Sequence, residues 1–145
     1  MAEIWTPNSE LVAVAYLPLV TTLPSSIIAT SLPEANSSWA ETGFVTVEAV
    51  GGARDLDLPV GRPVLTVSAW GVKGKWPLAF HLIDQIIEGF DGRVSSQSFT
   101  VKANYARARV LDGRLLTEAR RVRNDPSLFA RVNIDLLLNW VEVPG

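Results

Sequence analysis

A chain of 145 residues, 48% of them hydrophobic, is enough for one domain with its own core and too short for two ordinary ones. It has no Cys, which excludes disulfides, thiolate metal sites and Cys nucleophiles, and a single His, His81. The net charge of −2 hides an uneven spread: residues 1–92 hold 4 basic against 10 acidic side chains, residues 93–131 hold 9 against 3, and the last fourteen add only Asp135 and Glu142.

In chain order, Pro7, Asn8 and Ser9 supply a helix start, Glu10 favours the first turn, and the apolar run that follows predicts a helix from Ser9 to about Val20, kinked or ended by Pro18. No charge lies between Glu10 and Glu34. Even so, no Lys or Arg precedes Arg54 to form the basic region of a secretory signal, and Pro18, Pro24 and the neighbouring Ser and Thr suit lipid poorly. A buried helix is expected, with no leader and no membrane span. The sequon at Asn36 then carries no weight in a chain expected in the cytoplasm.

Ile27–Leu32 predicts a short edge strand, and Phe44–Val50 a strand with Val45, Val47 and Ala49 on one face, ended by Gly51 and Gly52. Between this strand and the next, which runs from Arg62 to Gly71, lies an extended stretch carrying Arg54, Asp55, Asp57 and Arg62. A metal loop, a phosphate loop and a docking arm are the readings to weigh. A calcium loop of the EF-hand type needs more alternating acids and a distant Glu. Leu56, Leu58 and Val60 alternate with polar positions instead, which suits an extended arm docked on its own domain or on a neighbour.

Pro77 in a first turn, the stripe Ala79, Leu82, Ile83, Ile86, Ile87 and Phe90, and Gly92 as a stop mark the clearest helix. Asp112-Gly113 then signals a hairpin between two strand-like runs, with the register over residues 94–116 left open. Strict alternation from Ala130 to Trp140 predicts a long half-buried strand. These elements predict an α+β fold: one mixed or antiparallel sheet covered by two helices, with an extended arm between two strands, and no domain boundary in residues 1–145.

Few residues offer chemistry. His81, Asp84 and Glu88 share a helix face, as a metal site would need, but two carboxylates and one imidazole there are what any solvated face carries. "GVKGKW", Gly71 to Trp76, lacks the hydroxyl of a phosphate loop. No catalytic, cofactor or metal residue is therefore expected. The Arg-rich segment, with Arg107, Arg109, Arg114, Arg120, Arg121, Arg123 and Arg131 beside Tyr105 and Phe129, has the residue types that grip nucleic-acid backbones. With a sequence pI near 5.4 and no recognition motif, base-specific binding is not expected.

Four stretches together resemble a known family: "LVAVAYLPLV", "FVTVEAVGGARDLDLPVGRPVLTVSAWG", "WPLAFHLIDQIIEGF" and "RRVRNDPSLFARVNIDLLLNW". In order and spacing they are similar to the tail terminator, or tail completion, proteins of long-tailed bacteriophages. The resemblance implies a non-enzymatic virion protein without cofactors. It would form a six-membered ring of copies on the head-proximal end of the tail tube, end tube polymerisation, and meet the head-to-tail connector. Genomic DNA would pass through the lumen without sequence-specific binding. The protein would act at the neck of the virion tail after assembly in the host cytoplasm. Another head-to-tail joining component, a connector stopper or a tail tube relative, is the alternative; a small ligand-binding domain or enzyme is the competing class. On this reading Arg54, Asp55, Asp57 and Arg62 of the arm, with Arg120, Arg121 and Arg123, are the expected contacts to another subunit or to the tube.

Overall fold

The computed structural model describes residues 9–32, 42–54, 60–72, 75–90, 99–102, 106–122 and 129–143. Its elements are α1 (Ser9–Val20), a 3-10 turn (Ser25–Ile27), β1 (Ile28–Ala29), β2 (Phe44–Arg54), β3 (Val60–Gly71), α2 (Trp76–Phe90), β4 (Phe99–Lys102), β5 (Ala106–Leu115), β6 (Arg120–Arg121) and β7 (Ala130–Val143). The strands join one mixed sheet in the order β1-β2-β3-β7-β5-β4, with β6 paired to β7 beyond the end of β5. Only the β1–β2 pair is parallel. The fold is α+β, as the pattern of elements predicts.

β7 explains the architecture. Its period-2 pattern buries Ala130, Val132, Ile134, Leu136, Leu138 and Trp140, and its 14 residues are long enough to pair with β3 on one side and with β5 and β6 in succession on the other. Both helices lie on the face those residues share. α2 presents Ala79, Leu82, Ile83, Ile86 and Phe90 to the sheet. α1 touches β1 and β4, at opposite edges, as well as β2 and β3, so the sheet curls around it. This is why the sequence of α1 is apolar on nearly every side. Tyr16 packs edge-on against Phe90, with ring centroids 6.1 Å apart, and tilted against Phe99 at 5.7 Å. Pro18 stands inside the last turn, and the helix ends two residues later.

Three expectations are corrected. Gly51 and Gly52 do not end the first long strand: β2 runs on to Arg54 through a bulge in which Ala49 faces Leu65, Gly51 faces Val64, and Val50 is the extra residue. The backbone N–H of Ala49 beside that bulge donates to Glu10 Oε2 at 2.7 Å, tying α1 to β2. The extended arm is, for most of its length, ladder. Ala53 pairs with Arg62 and Arg54 with Gly61, which leaves only residues 55–59, outside the described residues, between the two strands.

Asp112-Gly113 is no hairpin turn either. Both residues sit inside β5, just past a bulge at Leu111. A Cβ on Gly113 would lie 2.4 Å from the tip of the Phe90 ring, so glycine here provides space for an aromatic side chain rather than a turn conformation. At Gly89 of α2, a Cβ would lie 2.2 Å from the Val20 carbonyl oxygen, and its absence lets the end of α1 lie against α2.

Candidate interaction surface

The face of the sheet opposite α1 and α2 carries the outward residues of the same alternation, covered at one end by Ile27, Ala29, Leu32 and Phe129. At one end, Phe44 and Trp70 face each other across β2 and β3, and Arg131 faces Trp70 across β3 and β7. The guanidinium of Arg131 lies 4.5 Å from the Trp70 ring centroid and donates to Ser68 Oγ through Nε (3.3 Å) and Nη2 (3.2 Å). Trp70 Nε1 donates to Thr46 Oγ1 at 3.0 Å. Stacking leaves the indole N–H free to find this second partner, and together the contacts satisfy a serine buried beside the Phe44–Trp70 cluster, against which Ile27, Ala29, Leu32 and Phe129 pack.

In the middle, Asp135 is the hub of a clamp. Thr66 Oγ1, directly across the β3–β7 ladder, donates to Asp135 Oδ1 at 2.8 Å, and Arg120 Nη2 reaches both carboxylate oxygens at 3.4 Å. Arg120 Nη1 donates to Thr117 Oγ1 at 3.0 Å, and the same hydroxyl accepts the backbone N–H of Asp135 at 3.0 Å. The Leu116 N–H donates to the Asp135 carbonyl at 2.8 Å. The chain thus leaves β5, is held by Thr117, and rejoins β7 as β6. Arg120 is half exposed, so its ion pair with Asp135 contributes at most about 1 kcal/mol; the neutral hydrogen bonds set the shape of the connection.

At the far end, Asn139 Nδ2 donates to Asp112 Oδ1. Exposed Arg107, Arg109 and Arg114 stand opposite half-buried Val143, Val141 and Leu137. Cations beside partly covered aliphatic side chains make a surface suited to contact with another macromolecule.

The residues expected at an interface are dispersed. Arg54 and Arg62 sit at the far end of the β2–β3 ladder, on adjacent register positions. Arg120 and Arg121 occupy β6 and are each engaged within the chain. Arg120 turns to Asp135 on the outer face, whereas Arg121 lies 4.8 Å from the Trp76 ring centroid and 5.8 Å from that of Phe80, both on α2. Asp55, Asp57 and Arg123 lie outside the described residues.

His81 is exposed on α2, with its Nε2 2.7 Å from Gln85 Nε2 one turn on. Among the described residues no group of three His, Asp or Glu side chains comes together to hold a metal, and no helix is long and apolar enough to cross a membrane. Between β3 and α2, within "GVKGKW", the Lys75 N–H donates to the Val72 carbonyl at 2.9 Å.

Sequence reasoning missed both the clamp of Asp135, Thr117 and Thr66 and the stack of Arg131 on Trp70. The outward positions of β7 were visible in the alternation, but their partners follow from strand register, which alternation alone does not reveal. No protein-family model matches the chain, and no curated protein matches it.

Proposed function

We propose that this chain is a bacteriophage virion subunit that caps the head-proximal end of the tail tube as a ring, ends tube polymerisation and joins the tail to the head connector. The observation that carries the reading is the outer face of the sheet, where Arg107, Arg109 and Arg114 stand opposite half-buried aliphatic side chains on the side that neither α1 nor α2 covers. Such a face suits contact with protein partners: further copies of the chain, a tail tube protein and a connector protein. The four stretches that resemble tail terminators supply the identity of those partners.

A ring fits the charge distribution. A head-to-tail contact joins two different patches of one chain, and an acidic first part with a basic later segment provides patches of opposite sign. Capping then follows from geometry: a ring whose outer surface differs from the tube's offers no seat for the next tube ring. Genomic DNA passes through the lumen unread, and the protein needs neither catalysis nor a cofactor. Its place is the neck of the virion, reached from the host cytoplasm during assembly.

The test is electron microscopy and sedimentation of the purified protein, alone and added to polymerising tail tube protein. Closed rings and tubes of limited length are expected. A protein that stays monomeric and leaves tube growth unchanged would refute the proposal. Rings that bind the connector but leave tube length untouched would favour the alternative, a connector stopper.

A further inference from the structure

Where α1 ends, a groove of about 400 Å³ runs between its last turn and α2, lined by Leu19, Val20, Thr22, Gln85, Glu88 and Gly89. Gly89 brings the two helices close beneath it, and Thr22 Oγ1 donates to Gln85 Oε1 at 2.9 Å across it. Its wall is Leu19, 63% exposed, which with Val50 and Leu116 is one of three large exposed hydrophobic residues among those described. Its electrostatics are negative. Glu88 lines it, Asp84 stands exposed one turn earlier, and the last turn of α1 has no basic side chain to offset its carbonyl end. The volume lies at the low end of ligand-sized pockets, roughly 300–1,000 Å³, so it suits one or two side chains.

The complementary feature lies on the β5–β6 connection. Leu116 is 48% exposed there, with Arg114 before it and Arg120 and Arg121 after it; Glu118 is the one acid between them. This connection is fixed by the bonds of Leu116 and Thr117 to Asp135, so Leu116 is presented on an already ordered backbone. None of residues 106–122 lines the groove, so Leu116 does not seat in the groove of its own copy.

We infer that Leu116 of one copy seats in the α1–α2 groove of the next, with the exposed Arg114 beside it over Glu88 and Asp84. The contact is heterologous: two different patches of the chain, a projection and a groove, meet between copies, as a closed ring requires. The inference rests on the proposed ring and names the contact that builds it.

The test uses the full chain and two variants at exposed positions, Leu116→Ser for the projection and Leu19→Ser with Glu88→Arg for the groove. Sedimentation velocity is expected to show each variant assembling about tenfold or more weakly than wild type, from the loss of one buried leucine. Thermal midpoints should stay near wild type. Mixed in equal amounts, the two variants should form pairs containing one of each and nothing larger, because each retains one intact half of the contact. If Leu116→Ser assembles like wild type, the contact is elsewhere and the ring proposal stands. If both variants fail and mixing restores no pair, the head-to-tail contact through this groove is refuted. A wild-type chain that remains monomeric refutes the contact and the ring together.

Discussion

Gly113→Ala tests whether the glycine in β5 serves a turn or makes room for Phe90. In a strand interior, alanine is ordinarily preferred over glycine by about 0.5–1 kcal/mol. Here the added Cβ meets Phe90 ring carbons at 2.4, 2.6 and 3.0 Å, well inside contact distance. Because the ring is fully buried and pinned by Tyr16, it has little room to retreat. Overpacking of this kind costs about 1–3 kcal/mol, so the net expectation is destabilisation of about 1–2 kcal/mol by urea unfolding. The backbone alone gives no reason for such a loss, since Gly43, at φ +84°, is the only glycine with positive φ among the described residues. The discriminating measurement is a double-mutant cycle with Phe90→Leu, which shortens the side chain facing Gly113. If packing is the cause, the double variant should recover about 1 kcal/mol relative to the sum of the single changes. Additive losses, within about 0.5 kcal/mol, would refute the reasoning and return Gly113 to a conformational role.

Gly89→Ala should also destabilise, by about 1–3 kcal/mol, although alanine is the better helix former by about 1 kcal/mol, because its Cβ would meet a backbone carbonyl that cannot rotate away; a raised midpoint in calorimetry would show that α1 does not end against α2. Asp135→Ala should cost about 1–2 kcal/mol in chemical denaturation, since it strands the Thr66 hydroxyl and loosens Arg120, whereas Arg120→Ala should cost under about 1 kcal/mol; equal losses would contradict the ranking of hydrogen bonds over the exposed ion pair. Changing Asp55 and Asp57 together to Ala should leave the thermal midpoint within a few degrees of wild type while weakening assembly in sedimentation; a large fall in midpoint would place these residues in the chain's own core.

The fold was legible where a single element has a strong period. β7 and α2 each expose one polar face and bury one apolar face, so spacing alone identifies Ile134 and Ile83 as core. It failed where one extra residue resets the period. At Val50 and Leu111, bulges carry the strand past signals that ordinarily end or turn it, and Gly51 and Gly113 look the same in sequence whether they end a strand or make room within one. The surface was less legible than the core. That Arg120 faces Asp135 while Arg121 faces Trp76 follows from adjacent residues of a strand pointing to opposite faces, but only once the pairing of β6 with β7 is known. The triple charge reversal that the basic segment suggests would therefore disturb the monomer as well as any interface, and the exposed Arg114 and Leu116 are the cleaner positions to alter.

The two residues of β6 also protect the chain from itself. "IDLLLNW" in β7 combines apolar and extended character without proline, the composition of an aggregation-prone segment. β3 shields one side of it, and on the other side β5 covers Leu136 to Trp140, leaving β6 to cover Asn133 and Val132, the two residues that lead into it. A two-residue strand of arginines, held from one face by a carboxylate and from the other by aromatic rings, closes that gap with charge, which discourages a further strand from adding there. Loss of both tethers would uncover a sticky backbone edge before the core itself had opened, making solubility on storage, more than the melting temperature, the first property to decline.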